Sequence, residues 1–340
     1  MTEFLPGIYK VLQKTDRGNT TEINIFIIPG KKGERSLMID AGFQDENCLA
    51  QMEGVLKELD ISYEDLDVFL THKHHDHSGL ASVYADRGAT IYMNPLEERH
   101  HYDCLFYSTK KTDPQEQDKV LHSVGVTEEG TPEVWDMFER VRKVVENHNG
   151  WTYEVQDFPY KPIAPGVVLH YGDYTFETID LKGHTFGQLG LFDKEHKIFF
   201  CADQVIDGIV PIVATTYPDE HLLRDYFVSL ERFHHEFKDC LLLPAHGKEI
   251  SDAKKVIDRI VFSYLDKVEI MHNILEHSRK VRTIREIATI VYGMPHPPKD
   301  TAEFIKLKMI MSKCFSCLEY LRDEDFAVRE EKDGTFYWRP

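Results

Sequence analysis

The 340-residue sequence is short of cysteine, short of positive charge and without a long apolar run. Its six cysteines, Cys48, Cys104, Cys201, Cys240, Cys314 and Cys317, are scattered through the chain, which argues against a disulfide framework. No stretch approaches the roughly 18 to 20 apolar residues of a membrane-spanning helix. The opening residues, Met1 to Pro6, show no basic segment leading into an apolar one. These absences lead us to expect a cytoplasmic protein that does not enter a membrane. Lys and Arg number 40 against 58 Asp and Glu, a formal net charge of −18. A surface that grips nucleic acid throughout is therefore disfavoured. Internal repeats and low-complexity tracts are also missing.

What is present is an ordinary globular composition, 42% hydrophobic and 29% charged, in a chain long enough for one large domain and a small one. Residues 251–340 carry 16 basic and 15 acidic groups, whereas residues 1–250 carry 24 and 43, a net of −19. That shift marks an expected boundary between domains over 1–250 and 251–340.

Apolar and β-branched runs predict strands at Gly7 to Leu12, Ile23 to Ile28, Ser36 to Ile39 and Asp67 to Leu70. Others follow at Val167 to His170, Thr175 to Asp180, Gly190 to Phe192 and Ile198 to Cys201. Gln44 to Leu59 has helical spacing, so strands alternate with helices in an α/β layered fold. Residues 94–162 interrupt this with helix starts at Asp113-Pro114 and Thr131-Pro132, and we read them as a helical insertion. After His246-Gly247 come three helices, over Asp252 to His277, from the capping box Thr283 to Glu286 onward, and over Ala302 to Leu321. A hairpin from Phe326 to Trp338, turning at Asp333-Gly334, completes the parts of a winged helix.

The chemistry is concentrated in His72-x-His74-x-Asp76-His77, directly after a buried strand. Neutral imidazole and ionised carboxylate are the donors that zinc- or iron-class ions prefer. Three more polar residues end apolar strands: His184 in Lys182-Gly-His-Thr185, Asp203 after Phe199 to Ala202, and His246 after Leu241 to Ala245. Each alone could be a capping aspartate or a core histidine; together they read as one site.

This ordered set resembles the metallo-β-lactamase superfamily of dinuclear metallohydrolases. The resemblance spans roughly residues 7 to 250 and implies an αββα sandwich with the site at strand ends. It implies two divalent ions, zinc with iron or manganese as alternatives. His72, His74 and His184 would hold one, Asp76, His77 and His246 the other, and Asp203 would bridge them. A hydroxide shared by the ions would attack the substrate, with Asp76 and Asp203 as the catalytic carboxylates. Asp40 either supports a ligand histidine by a hydrogen bond or merely caps a turn. Asp203 stands where the commonest zinc β-lactamases have Cys, so antibiotic hydrolysis is disfavoured. Cys201 reads as a buried small residue. His74 stands where oxygen-reducing diiron members have Glu, and Phe186 replaces the proline of the usual GHTPG turn.

The tail resembles the winged-helix extension of a branch that includes endoribonucleases and acyl-carrier-protein thioesterases. Cys314-Phe-Ser-Cys317 reads as helix packing rather than a redox pair. The expected function is a hydrolase of a small thioester, ester or lactone. A phosphodiesterase or endoribonuclease is the alternative, and an iron-dependent dioxygenase the second. Trp135, Phe138 and Trp151 could roof an acyl pocket or simply be core. The expected partner is a small molecule; nucleic acid is disfavoured by charge, and a homodimer is left open.

Overall fold

Short β-branched and aromatic runs become strands here, and the alternation of their side chains decides what covers each face. The computed structural model describes residues 1–16, 21–102, 113–147, 157–278, 280–294 and 297–340. Trp151 and Cys104 lie outside them. The chain forms two units, one of residues 1–100, 152–211 and 229–257, the other of 101–151, 212–228 and 258–340. A single cut near residue 250 does not describe this division, because residues 101–151 and 212–228 cluster with the C-terminal segment.

The first unit holds two sheets. Seven strands follow sequence order: β1 (Thr2–Leu5), β2 (Ile8–Lys14), β3 (Glu22–Ile28), β4 (Ser36–Ile39), β5 (Leu66–Phe69), β6 (Thr90–Met93) and β7 (Lys161–Pro162). Pairing is antiparallel from β1 to β4 and parallel from β4 to β7. The parallel links need crossovers. These are α1 (Glu46–Glu58) between β4 and β5, and the short α2 (His75–Ser78) and α3 (Ala81–Asp86) between β5 and β6. Asp45 caps α1 by accepting hydrogen bonds from Asn47 and Cys48 N–H. Between β6 and β7 run α4 (Pro114–Ser123) and α5 (Pro132–Asn147), both in the second unit.

The second sheet has the order β12-β11-β10-β9-β8, built from β8 (Val168–Tyr171), β9 (Tyr174–Asp180), β10 (Leu189–Asp193), β11 (Ile198–Ala202) and β12 (Leu241–Pro244). Helix α6 (Leu222–His235), which the sequence reading did not anticipate, precedes β12. Side-chain alternation makes the layers. On β3, Ile23, Ile25 and Ile27 pack with Met52, Val55 and Leu56 of α1, while Phe26 and Ile28 face Phe176, Leu191 and Phe200 of the second sheet. On β11, Phe200 points inward and Phe199 outward, where it stacks on Phe233 of α6 at 5.1 Å and meets Phe237 at 4.7 Å. The result is the helix–sheet–sheet–helix sandwich expected.

The second unit adds α7 (Ala253–Glu276), β13 (Arg282–Thr283), α8 (Ile284–Tyr292), α9 (Thr301–Asp323), β14 (Val328–Lys332) and β15 (Thr335–Arg339). Its sheet has the order β13-β15-β14, and the capping box at Thr283 and Glu286 opens α8. Strand β14 begins two residues later than expected because Phe326 N–H closes the end of α9 on the Leu321 carbonyl at 2.8 Å. The hairpin turns at Asp333 and Gly334 with φ of 52° and 76°, the left-handed pair of a tight β-hairpin turn. Helix α9 is buried along most of its length. Phe304 lies 6.0 Å from Phe138, Phe315 lies 6.2 Å from Trp338, and Ser316 Oγ accepts from Thr215 N–H at 2.9 Å. Phe138 is therefore core of this unit. Among the described residues no helix is long and apolar enough to cross a membrane.

Replacing Phe199 by Ala should lower unfolding stability by about 3–5 kcal/mol, read as a reduced urea midpoint at unchanged slope. A loss under about 1 kcal/mol would mean that the Phe199, Phe233 and Phe237 cluster does not fix α6 on its sheet.

Candidate metal centre

Strand direction gathers the polar groups. Strands β9, β11 and β12 run the same way, so their C-terminal ends share one edge, as do those of parallel β4 and β5. His72 to His77 follow β5, His184 follows β9, Asp203 follows β11 and His246 follows β12. The β11–β12 register shifts between Phe200 and Ala202, and Ala202 has φ of 49°. A bulge and a left-handed non-glycine residue bend the strand where Asp203 leaves it. Asp40, ending β4, is likewise left-handed at φ 63°.

All seven residues singled out in the sequence come together. His74 Nδ1 lies 2.9 Å from His72 Nε2 and 3.1 Å from His184 Nε2. Asp203 Oδ1 is 3.6 Å from His77 Nε2 and 3.4 Å from His246 Nε2, and its Oδ2 is 3.6 Å from His184 Nε2. Asp76 Oδ2 lies 3.4 Å from His246 Nε2 and 3.8 Å from His77 Nε2. Three overlapping groups have donor atoms within 4.8 Å of one another: His72, His74 and His184; His72, His77 and Asp203; Asp76, His77 and His246. His77 Nε2 and Asp203 Oδ1 are buried with no hydrogen-bond partner. Buried donors of this kind fit a cation better than they fit each other.

The surroundings aim the rings. His77 Nδ1–H donates to Asp40 Oδ2 at 2.8 Å, and Asp40 also accepts from Thr71 N–H at 2.8 Å and Thr71 Oγ1 at 2.9 Å. Asp40 is thus both a turn residue and the support of a histidine. His246 Nδ1–H donates to the Glu22 carbonyl at 2.7 Å. In both rings Nε2 is left facing the carboxylates.

Electrostatics differs across the cluster. Burial holds the His72 pKa well below the usual value, helped by the imidazoles of His77, His74 and His184. Burial also works against charging His77, but Asp40, Asp76 and Asp203 outweigh it and raise its pKa to about 10. Asp203 and Asp76 are moved down against burial by facing imidazoles, chiefly His246 and His77 for the first, and His77 and His75 for the second. The carboxylates therefore require positive charge, as protons or as metal.

Sequence reading missed Glu97. It is fully buried, and its carboxylate accepts from Lys73 N–H, Thr185 Oγ1 and Gly187 N–H. Burial raises its pKa despite these bonds. Its one trace in the sequence is an acidic pair just past β6, which looks like any acidic first turn. Gln188 was missed too; its Oε1 accepts from Asp203 N–H at 3.3 Å. Cys201 is buried, its thiol donates to the Val205 carbonyl at 3.6 Å, and burial pushes its pKa up. It joins none of the donor groups found among the described residues.

Comparison with known proteins points the same way. The family model of the metallo-beta-lactamase superfamily matches residues 19–246. A metallo-beta-lactamase family protein from Thermus thermophilus is 18% identical with a TM-score of 0.74, over 98% of this chain and 99% of that one. A beta-lactamase domain protein from Burkholderia ambifaria is 19% identical with a TM-score of 0.79, over 99% and 93%. At such identities the likeness is one of fold. Acyl-coenzyme A thioesterase MBLAC2 of Gallus gallus is 29% identical over 148 residues, 41% of this chain and 50% of that protein. The chain therefore spans about half the length of that curated relative.

A raised histidine pKa stabilises fully below the unfolded value, about 6.5, and the gain is lost as pH climbs through the folded value. The chelator-treated chain should accordingly lose several degrees of unfolding midpoint between about pH 7 and pH 10. Asp40→Asn keeps an oxygen for Thr71 but removes the carboxylate beside His77, and should flatten that fall. Thermal unfolding followed by circular dichroism across the range checks both, and an identical slope in the variant would contradict the role of Asp40.

Proposed function

Because the chain belongs to the metallo-beta-lactamase superfamily, most of whose members are metal-dependent hydrolases, we propose that it is a dinuclear metal-dependent hydrolase of a small thioester, with esters and lactones as related substrates. The observation that carries this reading is the meeting of seven donors in three overlapping groups. His72, His74 and His184 would hold one ion, and Asp76, His77 and His246 the other. Asp203, whose two oxygens face His184 on one side and His77 and His246 on the other, would serve both. Zinc is the ion proposed. Bound divalent ions would supply Lewis acidity and a water with its pKa lowered to about 7.

The protein's own part is orientation and proton handling. Asp40 and the Glu22 carbonyl keep the protons of His77 and His246 on Nδ1, leaving each Nε2 to donate its lone pair. Asp76, beside His246 Nε2, is the carboxylate we assign to passing a proton toward the leaving group. The thioester is favoured by the acyl-coenzyme A thioesterase relative.

The order α7, β13, α8, α9, β14, β15 with its three-stranded sheet supports reading the tail as a winged-helix-like extension. It does not favour a nuclease. Lys308 is buried and lies 5.9 Å over Phe138 and 5.7 Å over Phe304, and Lys313 lies 5.3 Å over Tyr264. Of the α9 lysines only Lys306 is exposed, and a single exposed lysine is not the basic face that nucleic-acid binding draws on. Retention of all seven donors weighs against a mononuclear dioxygenase.

Metal analysis should find close to two ions per chain, with hydrolysis of an acyl-coenzyme A thioester ahead of a lactone and of bis-p-nitrophenyl phosphate. Asp203→Ala should lower the metal content and cut turnover by more than about 100-fold, beyond the loss typical of an outer partner, without unfolding. Phosphodiester hydrolysis alone, or wild-type metal content and turnover in the variant, would overturn the reading.

A further inference from the structure

The turn that follows β6 grips both loops of one donor group and neither support of the other. Glu97 sits within a 3-10 segment over Pro95–Tyr102. Its Oε2 accepts from Lys73 N–H, between His72 and His74, at 2.8 Å. Its Oε1 accepts from Thr185 Oγ1 at 2.6 Å and Gly187 N–H at 2.7 Å, just past His184. Asn94 closes on the other side of Gly187, donating from Nδ2 to its carbonyl at 2.9 Å. The approach is so close that a Cβ on Gly187 would lie 2.9 Å from Leu96 Cβ and 3.0 Å from Glu97 N.

A buried carboxylate suits these three donors because it only accepts. An amide in its place would turn an NH2 group toward a backbone N–H, whichever way it was flipped. Three of the remaining four donors have supports of their own. His77 leans on Asp40, His246 on the Glu22 carbonyl, and the Asp203 N–H on Gln188.

We propose that Glu97 is a positioning residue that sets His72 and His74 against His184, and so governs the affinity of one metal position without governing the other. The proposal rests on the metal reading of the site. Charge-assisted hydrogen bonds in a buried interior hold two loops at one spacing, and a donor set binds tightly only when its atoms are already placed.

The test is zinc binding to chelator-stripped wild-type, Glu97→Gln and Thr185→Val chains, measured by competition with a chromophoric chelator. Cobalt absorption spectra of the same chains report ligand geometry. Thr185→Val removes one of the three bonds at nearly constant shape, so it remains informative should Glu97→Gln fold poorly. In Glu97→Gln one of two ions should weaken by about tenfold or more with an altered cobalt spectrum, while the other stays within about threefold. Thr185→Val should weaken the same ion by less, with unchanged circular dichroism. Two ions bound by the wild type and held equally well by both variants would overturn this proposal alone. So would equal weakening of both ions, which marks a general loss of structure. A wild-type chain that binds no ion would overturn the metal reading and this proposal with it.

Discussion

Three carboxylates, Asp40, Asp76 and Asp203, and five imidazoles, His72, His74, His77, His184 and His246, are packed at one edge of a sheet sandwich, most of them buried. Charges taken out of water must be matched at short range or they destabilise the fold. Much of the local structure answers that requirement. Asp40 is matched by Thr71 and His77, Glu97 by three donors, and His246 Nδ1 by a carbonyl. The atoms left over are those facing the centre, His77 Nε2 and Asp203 Oδ1. The cluster is closed on its outside and keeps two buried polar atoms without a hydrogen bond on its inside, an arrangement that fits a cation.

The sandwich supplies the stiffness this needs. Its inner layer is aliphatic and aromatic, with the Phe200 ring 5.0 Å from Phe26 and 5.8 Å from Phe176. Such a layer has little freedom to shift, so loops leaving the strand ends start from fixed points. Left-handed backbone at Asp40 and Ala202 costs on the order of 1–3 kcal/mol each. Both residues adjoin the cluster, where the direction of the chain matters more than its comfort.

Helix α9 uses its sequence differently. While Lys306 stays exposed, Lys308 and Lys313 lie over Phe138, Phe304 and Tyr264 in the second unit. Their aliphatic stems add to the core while their ammonium groups meet aromatic faces. Cys314 and Cys317 are buried in the same helix as free thiols. Burial pushes the pKa of both upward, to about 12 for Cys317; thiols so protonated are poor nucleophiles.

Much of this was legible in the sequence because it is written in local patterns. Apolar and β-branched runs located β2 to β5, β8 to β11 and the C-terminal hairpin, capping residues located α4, α5 and α8, and the spacing of His72, His74, Asp76 and His77 drew attention to one loop. Helix α6 and the short β1, β6, β7 and β13 were not located, since their reasons to form lie mainly in the partners they pack against or pair with. Other features could not be read at all. Glu97 is one acid among many until folding places it against two loops more than twenty and eighty residues away. The exposure of a lysine on α9 depends on which aromatic rings surround it. Residue identity and spacing determined which groups could bind a metal. Tertiary structure decided which of them converge, which nitrogen each ring turns inward and which acid holds the loops, because these depend on distances between segments that the chain brings together only by folding.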